Sequence, residues 1–156
     1  MHLHKYEKIW LTFGMISLIV FLVIIGITAF RSHLQPAGGM NTVNPQTVEK
    51  TAPFNRPGVY QKNDGTYEVV ILAKTFAYAP SKLKVPVGKK VRFVLTSTDV
   101  THSFSIVNTN VNMMAVPGQI NTKEYSFKKP GNYLILCNEY CGTGHSFMQT
   151  TIEAVK

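Results

Sequence analysis

Hydrophobic positions fall along this chain in two distinct patterns. The first is an unbroken apolar run: residues 9–30, IWLTFGMISLIVFLVIIGITAF, contain no Asp, Glu, Lys or Arg. At 1.5 Å per residue such a run reaches across a hydrocarbon core of about 30 Å. The pattern predicts a transmembrane helix over 9–30 with residues 1–8 as a tail. Gly14, Ser17, Gly26 and Thr28 interrupt the large side chains, and small residues of this kind mark where a neighbouring helix packs. The rival reading is a cleaved signal peptide, whose apolar core usually runs about 7–15 residues and ends at a small-residue site. This run is longer and ends at Phe30-Arg31, with no A-x-A triplet following. Lys5 and Lys8 precede it, which orients the N-terminus inside and the rest of the chain outside.

The second pattern begins near Thr66 and consists of short runs bounded by turn residues. Residues 67–72 (YEVVIL), 82–87 (KLKVPV), 91–95 (VRFVL), 102–107 (HSFSIV), 122–127 (TKEYSF), 133–137 (YLILC) and 148–155 read as strands. Seven strands spaced about 8–12 residues apart predict an all-β Greek-key sandwich or barrel over 66–156. Between span and sandwich, 31–65 holds Pro36, Gly38, Gly39, Pro45, Pro53, Pro57 and Gly58. That composition predicts a linker without regular structure.

Charge narrows the classes. The whole chain carries a formal +8; without Lys5, Lys8, Arg31 and Glu7 the remainder holds 13 basic against 7 acidic residues. A basic surface beside anionic lipid headgroups explains the excess. A membrane anchor and an outward domain exclude nucleic acid as a partner. The same charge predicts no electrostatic attraction for a strongly basic partner protein.

The chemistry is concentrated in one segment. Cys137 and Cys141, the only two cysteines, stand in CNEYCGTGHSFM, with His145 and Met148 following. Thiolate, imidazole and thioether form a soft donor set that suits copper better than calcium, magnesium or manganese. Gly142 and Gly144 allow the chain to double back, and His102, opening a well-patterned strand, can add a second imidazole. A disulfide is the plain alternative for two cysteines on an outer domain, though so short a loop gains little from closure. Zinc prefers four Cys or His ligands, often as C-x2-C pairs, and does not call for a thioether. A single blue copper needs one thiolate, two imidazoles and a methionine, and this chain offers one thiolate more.

The segment CNEYCGTGHSFM, with His102 in DVTHSF, closely resembles the dinuclear CuA site of cytochrome c oxidase subunit II, over roughly residues 69–155. A single N-terminal span resembles the B-family, ba-type, oxidases in particular, since A-type subunits have two. The resemblance implies a cupredoxin fold preceded by one transmembrane helix. It implies that Cys137 and Cys141 bridge two coppers, that His102 and His145 bind one each, and that Met148 is a weak ligand. The Glu139 backbone carbonyl would complete the second copper, and its side chain could meet magnesium at the boundary with subunit I, although B-family members can carry glutamine there. A-type relatives have a tryptophan-rich stretch where electrons enter. Here the only tryptophan is Trp10, in the span, and Lys74-Thr75-Phe76-Ala77-Tyr78 stands in that place. Phe76 and Tyr78 are the residues to consider, with core packing the plainer role for both.

The resemblance therefore implies an electron-accepting subunit of a respiratory oxidoreductase in a prokaryotic plasma membrane, with its copper domain on the outer face. Its partners would be a haem-containing subunit I, further small membrane subunits, cytochrome c and lipid. Three other readings stay open at this point: a membrane-tethered blue-copper carrier, a quinol-oxidase relative that lacks the ligands, and a structural β-domain with a disulfide. Nitrous oxide reductase shares the copper site, but its large catalytic domain has no counterpart in 156 residues.

Overall fold

The computed structural model describes residues 4–31 and 41–156. The chain divides into an N-terminal unit and a larger β unit, with the boundary in sequence between Gln35 and Pro36.

Helix α1 covers Lys5–Arg31, 27 residues. It begins four residues before the apolar run because Lys5, Tyr6, Glu7 and Lys8 continue its first turn; of the expected tail, residues 1–3 lie outside the described residues. None of its side chains is buried, and it is the one described helix long and apolar enough to cross a membrane. The Ser17 hydroxyl donates to the Gly14 carbonyl at 2.8 Å and Thr28 to Ile24 at 2.7 Å. Neither hydroxyl is left unpaired, as a lipid surrounding requires.

The β unit is a sandwich of two five-stranded sheets. Its strands are β1 Gly58–Gln61, β2 Tyr67–Lys74, β3 Ala77–Ala79, β4 Lys82–Pro86, β5 Val91–Ser97, β6 His102–Ile106, β7 Asn112–Ala115, β8 Asn121–Tyr125, β9 Gly131–Leu136 and β10 Gln149–Val155. One sheet runs β1-β2-β5-β8, with β3 on the far half of β2, and the other β4-β10-β9-β6-β7. The β2–β5 and β4–β10 pairs are parallel. All seven expected strands form. β1, β3 and β7 are additional: each is three or four residues long, too short to show a period.

The inner faces of both sheets meet in one core that includes Val69, Ile71, Phe93, Leu95, Phe104, Phe127, Ile135 and Ile152. Alternate residues of β2 and β5 point the other way. Val70, Leu72 and Val94 form a second cluster with Val48 and Phe54, both at most 1% exposed. This corrects the reading of 31–65 as a linker. Residues 32–40 lie outside the described residues, but 41–65 belong to the β unit. Asn41 and Val43 exchange backbone hydrogen bonds with Ile120 and Gly118, Val48–Lys50 form a 3-10 turn, and β1 pairs with β2. The physical reason lies in the run VVIL. Strands apolar at consecutive positions need cover on both faces, and the 41–65 segment supplies the second cover.

Phe54→Ala is therefore expected to lower stability by about 3–5 kcal/mol, as for a buried aromatic, whereas a solvated linker position would change it by at most about 0.5 kcal/mol. Denaturant unfolding of the detergent-solubilised chain measures the difference.

Candidate metal centre

Three neighbouring strands of the second sheet end or begin at one place. β9 ends at Leu136 and delivers Cys137, β10 begins just after Met148, and β6 opens with His102. The loop between Cys137 and Met148 is closed by the Cys137 amide donating to the Met148 carbonyl at 3.2 Å. Within it the His145 amide donates to Gly142 at 3.0 Å and the Met148 amide to His145 at 3.1 Å, forming the 3-10 turn His145–Phe147. Gly142 takes φ +128°, a region that disfavours side chains. Gly144 has no room for one: a Cβ there would stand 2.6 Å from the Phe76 ring.

The donors converge. Ligand atoms of His102, Cys137 and Cys141 all lie within 4.8 Å of one another, and all three residues are buried. The Cys141 sulfur stands 3.6 Å from His145 Nδ1 and 3.6 Å from Met148 Sδ. The Cys137 thiol donates to the Glu139 carbonyl at 3.2 Å. Both cysteines are free, and no disulfide joins them in this structure. His102 is fully buried; Nε2 pairs with Asp99 Oδ1 at 2.8 Å, and Nδ1 has no hydrogen-bond partner. A buried ring nitrogen without a partner is rare unless a ligand satisfies it.

The electrostatics point the same way. Burial pushes the Cys141 thiol up, and the adjacent Cys137 sulfur pushes it further. A coordinated cation reverses that balance and ionises a thiol outright. Two free thiols, a thioether and an imidazole nitrogen with no other use are a soft donor set, so the residues fit copper. Partial burial works against ionisation of Asp99, but hydrogen bonds from Thr75, His102 and the Val100 amide outweigh it and hold the carboxyl well below the usual range.

The two aromatic positions part company. Tyr78 is buried, as core packing requires; its hydroxyl donates to the Ser103 carbonyl at 2.5 Å. Burial and the Cys137 sulfur push its phenol far up. Phe76 is not in the core. It is 36% exposed, takes φ 63°, and lays its ring over Gly142 and Gly144. Glu139 is half-buried. Sequence reasoning missed Asp99 and Thr75 as neighbours of the site. Asp99 stands three residues before His102 in the DVTHSF motif already noted, which is the one signal that could have found it.

A soft-metal site at the end of a β-sandwich, in a chain whose N-terminal helix is long and apolar enough to cross a membrane, defines a copper domain of the cupredoxin-like class. The family model for the periplasmic domain of cytochrome c oxidase subunit II matches residues 73–155. Cytochrome c oxidase subunit 2 of Thermus thermophilus is 41% identical over 151 residues, covering 94% of this chain and 90% of the relative. A chain of a haem–copper terminal oxidase dimer solved by cryo-electron microscopy is 33% identical with TM-score 0.74, covering 97% of this chain and 100% of that one. The periplasmic domain of subunit II from Bradyrhizobium japonicum shares the fold at TM-score 0.54 and 24% identity, covering 57% of this chain and 83% of that one. The chain belongs to the cytochrome c oxidase subunit II family.

Copper at a thousandfold its dissociation constant is expected to stabilise the folded chain by about 4 kcal/mol. Thermal unfolding with copper and with a chelator measures the gain, and Cys141→Ser should abolish it.

Proposed function

We propose that this chain is the subunit through which electrons enter a membrane-bound haem–copper oxidase, and that its β unit carries a dinuclear copper centre of the CuA type. Membership of the subunit II family supports the first part. The observation that carries the second is the pair of free, buried thiols beside His102, whose Nδ1 has no hydrogen-bond partner. Cys137, Cys141, His102 and His145 are the residues that would hold the copper, with Met148 and the Glu139 carbonyl as weaker donors. When bound, the copper pair supplies a one-electron relay from cytochrome c to a haem in subunit I, where dioxygen is reduced to water and protons are pumped.

The chain's own part is to hold these donors still. His102 is anchored by Asp99, the loop is tied at its two ends by Cys137 and Met148, and burial of both keeps water away. A rigid frame limits the rearrangement that accompanies each change of oxidation state. Residues 1–8 lie inside, α1 crosses a prokaryotic plasma membrane among its lipids, and the β unit lies on the outer face. The one span among the described residues is the feature on which a B-family assignment rests in this proposal. The Glu139 side chain is the residue that would meet magnesium at the subunit I boundary.

Docking of the donor rests on apolar contact in this proposal. The β unit is basic overall, and Tyr140 and Phe147 in the ligand loop are 78% and 79% exposed. Turnover with a basic soluble cytochrome c is expected to stay level or rise as salt screens like charges. A steep fall with salt would refute apolar docking.

For the centre itself, copper per chain and the visible spectrum of the detergent-solubilised protein decide. Two coppers with a purple mixed-valence signal, lost in Cys137→Ser, are expected. One copper per chain would instead support a membrane-tethered blue-copper carrier, and none would overturn the copper reading.

A further inference from the structure

Asp99 lies in the turn between β5 and β6 and is not among the donors, yet both of its carboxylate oxygens are committed to the site. Oδ1 accepts from His102 Nε2 at 2.8 Å and from the Val100 amide at 2.7 Å. Oδ2 accepts from the Thr75 amide at 2.5 Å and from the Thr75 hydroxyl. Thr75 and Phe76 form the two-residue turn between β2 and β3, which belongs to the opposite sheet from His102.

We propose that Asp99 is a positioning residue for the copper site, fixing His102 through one oxygen and the Thr75–Phe76 roof of the ligand loop through the other. The proposal rests on the copper reading given above and deepens it.

The first arm follows from donor and acceptor inventory. A carboxylate accepts only, so the N–H of a neutral His102 is on Nε2 and the lone pair is on Nδ1. Nδ1 is the buried nitrogen without a partner, on the ring that contributes a ligand atom within 4.8 Å of both cysteine sulfurs. Carboxylates in this relation fix the tautomer and ring orientation of a ligating histidine and raise its basicity. The second arm follows from the roof. A Cβ at Gly142 would stand 3.2 Å from the Phe76 ring, and one at Gly144 2.6 Å. Phe76 also takes φ 63°, which an aromatic residue rarely adopts without support. Its immediate neighbour Thr75 is held to Asp99 by backbone and side chain together, and that is the support.

The test uses the full-length, detergent-solubilised, copper-loaded chain. Asp99→Asn removes the charge and one acceptor while keeping the shape. Release of copper to a chelator is expected to be about 10–100-fold more complete at a given chelator concentration, the usual effect of losing a ligand's partner. The reduction potential should rise, because a less basic imidazole favours the reduced metal. Thr75→Val removes the hydroxyl bond of the roof arm, keeps the amide bond and leaves the His102 arm intact; it should accelerate copper release and leave the potential close to that of the unsubstituted chain. Unchanged release and potential in Asp99→Asn overturn the proposal. If that variant does not accumulate, Thr75→Val decides, and unchanged release there overturns it. Failure of the unsubstituted chain to bind copper overturns the copper reading beneath the proposal as well, which separates the two failures.

Discussion

Two sulfur atoms held together out of water set the terms for everything around them. A buried thiol beside another thiol resists ionisation, as the upward push on Cys141 shows. Side by side and uncompensated, the pair has little reason to be there. A soft cation between them changes the sign of the arrangement. His102, whose Nδ1 has no hydrogen-bond partner, the thioether of Met148 and the carbonyl of Glu139 all stand near the same sulfurs, where the proposed copper would draw on them. The sandwich provides the rigidity that such a cluster needs. His102, Cys137 and Met148 come from the ends of β6, β9 and β10, adjacent strands of one sheet, and Cys141 and His145 from the loop that β9 and β10 hold closed.

Much of this was legible in the residues. An uncharged apolar run can only be solvated by lipid or by other helices, so α1 stood out. Alternation made most of the seven longer strands visible, and the soft donor set identified its metal class through chemistry alone. Less legible was anything that depends on what lies opposite. The segment 41–65 looks like linker because its apolar residues, Val48 and Phe54, are isolated in sequence. Their partners Val70, Leu72 and Val94 are on β2 and β5, far along the chain. The consecutive apolar residues of YEVVIL were the available hint, since a strand with one wet face alternates.

Phe76 and Tyr78 make the same point at smaller scale. Two residues apart, they look equivalent in sequence. Tyr78 points into the sandwich and meets Ser103, while Phe76, at the tip of a two-residue turn, points along the ligand loop. The turn lacks the Asn-Gly or Asp-Gly signature that usually marks such hairpins, which is why β3 escaped notice. Asp99 escaped for a different reason. A lone acidic residue in a turn ordinarily caps or solvates, and only the fold shows that it faces a histidine on one side and a threonine from the other sheet on the other.

The packing of Val48 and Phe54 on the outer flank of the first sheet closes a route as well as a core. A third layer lies where an open sheet would otherwise offer a broad face for association. The ligand loop lies instead at the tip of the sandwich, where β6 begins and β9 ends. There the Phe76 ring lies over Gly142 and Gly144. How closely that shutter sits on the loop is set by the two glycines, because a side chain at either would push the ring away.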